Sequence, residues 1–278
     1  MHLRLGKWNR LQVARKADFG IYLDCGELGE ILMPAKEILQ PCEIGDEIDA
    51  FLYLDAEERL IATQLTPKVE VNSFAFLEVK WVNQFGAFLD WGLVKDLFCP
   101  FREQKMKMEV GNKYLVYCYI DTVTYRIVAS AKIEKFLSAD APSYEVGDKV
   151  DALVTQHTDL GYKAIIDNKF MGLLYSYEVF TPLHCGDRVE AYIKNIRPDM
   201  KIDLILNKGG KQQLDGFAQR LLEYLRQQPD GFSPLNDKSP AEEIYSTFGV
   251  SKKMFKRAAG ELYKNQLIKI SDDGLRAL

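Results

Sequence analysis

Two short aromatic runs supply the residues best suited to recognition chemistry. Phe19 and Tyr22 bracket Gly20-Ile21, and Phe85 and Phe88 bracket Gly86-Ala87. Flat rings exposed on a sheet can stack on unpaired nucleobases, each contact worth roughly 1–3 kcal/mol by alanine substitution. The plain alternative is that one ring of each pair fills a small core. A second constellation is cationic: Lys252, Lys253, Lys256 and Arg257 lie close together and suit phosphate contacts, although a charged helix face is most often only solvated. Lys163 and Tyr175 are a further cation and ring in a third copy of the aromatic segment. Catalysis finds no comparable support. His2, His157 and His184 are far apart, and no phosphate-binding glycine loop or dinucleotide fingerprint occurs. No catalytic residue, metal ligand or cofactor is assigned. Asp24 and Asp90 recur, as do Asp55 and Asp121; their expected role is to cap turns.

These residues must be positioned by a repeated element. The intervals from Gly20 to Gly45, from Gly86 to Gly111 and from Gly161 to Gly186 are equal in length, so one glycine pair occurs three times. A chain with such self-similarity has to be read one unit at a time. Val13, Val79 and Val154 are related by the same steps as Gly20, Gly86 and Gly161 and mark one core position. In the second unit Leu77–Val82 alternates apolar and polar, the pattern of a half-buried strand. The first glycine is expected at a bulge, bend or close backbone approach between strands one and two. Strands three to five are expected at 96–100, 113–119 and 126–130, with counterparts in the other units. Five short strands in about 70 residues suit a small closed barrel.

Bulk properties narrow the reading. The 278 residues carry a formal net charge of −4 and are 47% apolar. That is room for two to four domains, with no compositional sign of disorder. No apolar run is long enough to cross a bilayer, so no membrane partner is expected. Five cysteines without a C-x-x-C pair suit reduced thiols in the cytoplasm. An acidic chain that binds nucleic acid must do so through local patches and stacking.

The last third changes character after Lys208-Gly209-Gly210-Lys211. Leu214, Phe217, Leu221, Leu222 and Leu225 predict an amphipathic helix. Residues 228–236 read as loop. A second helix is expected from Ser239-Pro240-Ala241-Glu242, with Ser239 as cap and a capping box, ending at Phe248-Gly249. Ser251 is expected to cap a third helix running to about Asn265, before a hairpin turning at Ser271-Asp272-Asp273-Gly274. Residues 214–278 hold ten Lys/Arg against nine Asp/Glu, so the segment as a whole is nearly neutral.

The Phe-Gly-x-aromatic runs, each placed ahead of a Gly-Asp or Gly-Asn strand start, resemble the S1 RNA-binding domain, a five-stranded OB-type barrel. The third copy, Leu160-Gly161-Tyr162-Lys163, keeps the frame without the rings. A histidine common after the third S1 strand is replaced here by Pro34, Pro100 and Ser176. Three helices and a hairpin resemble a winged helix, whose third helix contacts nucleic acid in related folds. The whole order resembles the conserved virulence factor B family. The resemblance implies a mainly β chain with a C-terminal α+β part: barrels at 1–66, 67–139 and 140–210 (degenerate), then a winged helix at 211–278. It further implies a non-enzymatic, cytoplasmic regulator that binds single-stranded RNA. Two alternatives stay open, a DNA-binding regulator acting through the winged helix and an adaptor whose barrels bind protein.

Overall fold

The computed structural model describes residues 3–179, 182–206 and 210–278, without the side chains of Leu28, Tyr177 and residues 210–215. His2, Lys208, Gly209 and the side chains of Lys211 and Leu214 thus lie outside the described residues. The chain forms two compact units, Met1–Ser138 and Ala139–Leu278.

The first unit holds two five-stranded barrels. Barrel one consists of β1 (Trp8–Ala17), β2 (Gly20–Asp24), β3 (Glu30–Pro34), β4 (Glu47–Leu54) and β5 (Leu60–Thr63), in the order β3-β2-β1-β4-β5. Barrel two repeats them as β6 (Ser73–Val82), β7 (Gly86–Asp90), β8 (Leu97–Pro100), β9 (Lys113–Ile120) and β10 (Ile127–Ser130). A parallel pairing of Val128 with Phe98 closes barrel two. Closure was expected of every copy, but in barrel one no hydrogen-bonded ladder joins β3 to β5 among the described residues.

The second unit opens with barrel three: β11 (Lys149–Thr158), β12 (Gly161–Ile166), β13 (Phe170–Tyr175), β14 (Arg188–Ile196) and β15 (Ile202–Ile205), closed by β13 against β15. There follow α1 (Gly210–Gln227), β16 (Phe232–Ser233), α2 (Ala241–Phe248), α3 (Lys252–Lys264), β17 (Ile268–Ser271) and β18 (Gly274–Ala277). Phe217, Leu221, Leu225, Phe248, Phe255 and Leu262 share one apolar core with Ile268 and Leu275 of the wing.

Of the alternatives expected for the first glycine, the structure shows the close backbone approach and places the bulge elsewhere. The bulge lies in the first strand of each barrel, where the register slips between Val13 and Arg15, Val79 and Trp81, and Val154 and Gln156. Each slip follows the repeated, buried valine. The first glycine instead faces the third strand. A Cβ on Gly20, Gly86 or Gly161 would collide with the carbonyl oxygen of Met33, Cys99 or Leu174. The second glycine, at φ 94°, 83° and 99°, turns the chain back onto the bulge. There the Gly45, Gly111 and Gly186 N–H groups donate to the Val13, Val79 and Val154 carbonyls at 2.8, 2.9 and 2.8 Å. The constant spacing therefore measures a loop whose two ends meet strands three and one of the same barrel.

Three further expectations need correction. Residues 228–236 contain β16, which adds a third strand to the wing by pairing with β18. Ser239 does not cap α2: its hydroxyl accepts from the Asn236 N–H at 3.0 Å, and Pro240 stands at the cap position without a side-chain bond. Local closure of the 236–239 turn takes the hydroxyl that a capping box would use. The register also puts Tyr175, not Ser176, opposite Gly161, as Pro34 and Pro100 stand opposite Gly20 and Gly86. Ser251 does cap α3, accepting from the Met254 N–H at 3.3 Å. The repeated acids also behave as expected. Asp24, Asp55, Asp90 and Asp121 each accept N–H bonds from the backbone just ahead of them.

Barrels one and two share a joint. Phe51 and Tyr53 alternate with the inward Leu52 on β4, so they face away from barrel one's own core. Their rings meet Trp91 of barrel two edge-on at 6.1 Å each, inside the hydrophobic core of barrel two. Trp91 is 2% exposed and its indole N–H donates to the Lys95 carbonyl at 2.5 Å. The Arg126–Glu58 and Lys7–Glu70 ion pairs also join residues of the first repeat to residues of the second.

Candidate nucleic-acid interface

The joint leaves a cleft of about 1060 Å³ with walls from both barrels of the first unit. Phe19 comes from the first barrel and Phe85 and Phe88 from the second, so the sequence-predicted rings of two repeats line one space. Tyr22 is not on its wall. Phe19 and Phe85 stand just ahead of their glycines and are 58% and 63% exposed. The glycines make that exposure possible. Close approach of β2 to β3, and of β7 to β8, pins the strand start and leaves the preceding residue outside the ladder.

Tyr22 and Phe88 are placed differently. Both are half-buried within a row that crosses three strands. In barrel two the row is Trp81, Phe88 and Phe98. Trp81 and Phe88 are parallel within 4° at a centroid distance of 3.6 Å, and Phe98 follows at 5.0 Å. In barrel one the row is Arg15, Tyr22 and Leu32, with the Arg15 guanidinium 3.5 Å above the Tyr22 ring. Arg15 also donates to Glu30 at 2.6 Å, which raises its already high pKa. In barrel three the row reads Gln156, Lys163 and Leu173. Lys163 is exposed at the place held by Tyr22 and Phe88.

Arg15, Trp81 and Phe98 were not among the predicted site residues. Strict alternation places Trp81 on the same side as the buried Val79. The bulge at Lys80 inserts one extra residue and turns the indole outward. The available signal was Glu30 and Asp96, acids related by the same step as Gly20 and Gly86. Each bonds the outermost group of its row.

Tyr175 is engaged elsewhere. Its hydroxyl lies 3.3 Å from Asp203 and also bonds Arg197, which pairs with Asp203 at 2.7 Å. On α3, Lys253, Lys256 and Arg257 are exposed and Lys252 is half-buried, and Lys256 pairs with Asp237 at 3.3 Å. This cationic face is opposite the one buried through Phe255, Ala258 and Leu262.

The cleft is not strongly cationic. Arg59 pairs with Asp55 at 2.7 Å and with Glu57 at 3.0 Å, and Arg126 pairs with Glu58. The Lys95 ammonium donates to the Asp55 carbonyl at 2.6 Å, and burial pushes its pKa down. Lys36 stands on the same wall and adds one further positive charge. The surface suits flat, weakly charged groups better than bare phosphates.

This architecture defines a class: tandem S1-type barrels followed by a winged helix. Residues 5–65 match the S1 domain family, and residues 219–276 match the CvfB-like winged helix domain. Both are nucleic-acid-binding domain families rather than enzyme families. The chain is similar over most of its length to conserved virulence factor B. It is 27% identical to that protein of Staphylococcus saprophyticus over 244 residues, 82% of this chain and 78% of that one. An uncharacterized Bacillus subtilis protein, YitL, is 28% identical over 272 residues, covering 95% of this chain and 90% of the relative. A crystal structure of a multidomain protein with nucleic acid binding domains from Streptococcus pneumoniae aligns over 99% of this chain and 98% of that one. Its identity is 23% and its TM-score 0.42. Among the described residues, no helix is long and apolar enough to cross a membrane.

Proposed function

We propose that this protein is a non-enzymatic, cytoplasmic regulator that binds single-stranded RNA, with the cleft of the first unit as its main site. Its modules follow the limits 1–66, 67–139, 140–210 and 211–278. One observation carries the reading: exposed rings from two successive S1-type barrels line a single cleft whose cations are mostly neutralised. Stacking is tolerant of sequence and needs bases free of a duplex. Lys163 and the α3 cations Lys252, Lys253, Lys256 and Arg257 supply additional phosphate contacts along a longer strand. Tethering several weak contacts in one chain raises affinity without a dominant basic groove.

The test is fluorescence anisotropy with an unstructured RNA octamer across a range of salt concentrations. One or two phosphate contacts give a log–log slope between about −0.7 and −1.4 for a single strand. The competing reading, duplex DNA held by the four α3 cations, gives a slope near about −3.6 on a duplex. Tight duplex binding with that slope, and no binding of the octamer, would refute the proposal.

A further inference from the structure

The first two barrels share a three-part device that the third lacks. Its outermost group is planar: Arg15 in barrel one and Trp81 in barrel two, both just past the bulge. It covers the strand-two ring: the Arg15 guanidinium carbon is 3.5 Å from the Tyr22 centroid, and Trp81 is parallel to Phe88 within 4° at 3.6 Å. Its N–H is held by an acid from the third strand or the turn before it: Arg15 by Glu30 at 2.6 Å, Trp81 by Asp96 at 2.9 Å. One step along the chain relates Glu30 to Asp96, Arg15 to Trp81 and Tyr22 to Phe88 alike. In barrel three the corresponding residues are Gln156, Lys163 and Met171, which cannot form it.

We infer that the outer planar groups, Arg15 and Trp81, are the base-stacking platforms of these barrels, and that Tyr22 and Phe88 serve as their supports. The inference rests on the nucleic-acid reading above and adds Arg15 and Trp81 to the exposed rings Phe19 and Phe85, while taking Tyr22 and Phe88 out of direct stacking. One face of the Tyr22 and Phe88 rings is already covered at stacking distance, so a base cannot use that face. Trp81 is 43% exposed and the Arg15 side chain 50% exposed, each held in advance by its acid over the ring beneath. A clamped planar group loses little freedom when a base lands on it. Guanidinium and indole planes both stack on bases. Asp96, whose other oxygen takes Lys80 at 2.9 Å, is a positioning residue.

The experiment uses the full chain and an unstructured RNA octamer, following RNA anisotropy together with tryptophan emission. Trp91 is buried and Trp8 half-buried, so quenching by RNA reports on Trp81. Wild type is expected to bind with quenching. Trp81→Leu is expected to lose roughly 5- to 150-fold in affinity together with the quenching, whereas Phe88→Leu, which keeps an apolar support, stays within a few-fold of wild type. Trp81→Phe is expected to restore most of the affinity, and Arg15→Ala to weaken binding with the Trp81 signal intact. Asp96→Ala should lower affinity a few-fold and lower the anisotropy of the indole emission, because the ring is freed while the melting curve stays cooperative. Wild-type affinity in Trp81→Leu alongside lost affinity in Phe88→Leu would overturn the assignment and leave RNA binding standing. No binding by wild type would instead overturn the RNA reading itself.

Discussion

Alanine at both Phe19 and Phe85 is expected to weaken binding of a short unstructured RNA by about 30-fold or more, with little change in thermal stability. Each exposed stacking ring is worth roughly 1–3 kcal/mol, and the two residues belong to different barrels, so their losses should nearly add. Neither ring fills a core, since 58% and 63% of their surfaces are exposed; truncation therefore opens no cavity. Phe19 gives up an edge contact with Tyr22 at 6.2 Å, which sets a ceiling of about 1.5 kcal/mol on its structural cost. Leu160 is the built-in control. It holds the same place ahead of Gly161 and is 66% exposed, yet it offers no ring. Leu160→Ala should leave the affinity unchanged. Anisotropy titration and a melting curve for each variant decide the matter, and an unchanged affinity in the double variant would refute the stacking site.

Trp91→Ala is expected to destabilise the first unit by about 3–5 kcal/mol, the range for removing a buried tryptophan. In calorimetry this lowers the transition of that unit by on the order of 10–20 °C, while the transition of the second unit stays in place. The indole is the element of barrel two that both Phe51 and Tyr53 contact, so its loss loosens the joint as well as a core. RNA affinity should fall too, because the cleft walls come from two barrels held together by that joint. A shift of less than about 3 °C would mean that the barrels are fixed by other contacts.

Much of the fold was legible because a repeat shows each position more than once. The valine at 13, 79 and 154 predicted a core position, and all three are buried. Strand limits followed closely from alternation and glycine spacing. What stayed hidden depends on register and on competition for side chains. A one-residue bulge moves Trp81 from the expected inner face to the outer one, and nothing in a local window distinguishes that from regular alternation. Ser239 had every feature of a cap, yet the turn beginning at Asn236 took its hydroxyl. The strand β16, Phe232–Ser233, is too short to carry a periodic signal.

The candidate site was legible in part. Residue types pointed to the rings, and the structure brings Phe19, Phe85 and Phe88 to one cleft. That Tyr22 and Phe88 are each covered by a strand-one neighbour is a tertiary fact, set by cross-strand pairing. Tyr175 was expected to offer a ring in the third copy, and its hydroxyl bonds Arg197 and Asp203, contacts that only the tertiary structure reveals. The acidic net charge pointed to stacking in place of a broad basic groove, and the cleft cations Arg59 and Arg126 are indeed paired with acids.

The most direct test of the central claim is photo-crosslinking of the full chain to an unstructured RNA carrying 5-iodouridine, with the adducts mapped by mass spectrometry. Stacked bases crosslink to the ring beneath them, so the account predicts adducts at Phe19, Phe85 and Trp81, competed by unlabelled RNA. Adducts confined to residues 252–257 of the winged helix, with none on the cleft rings, would contradict it.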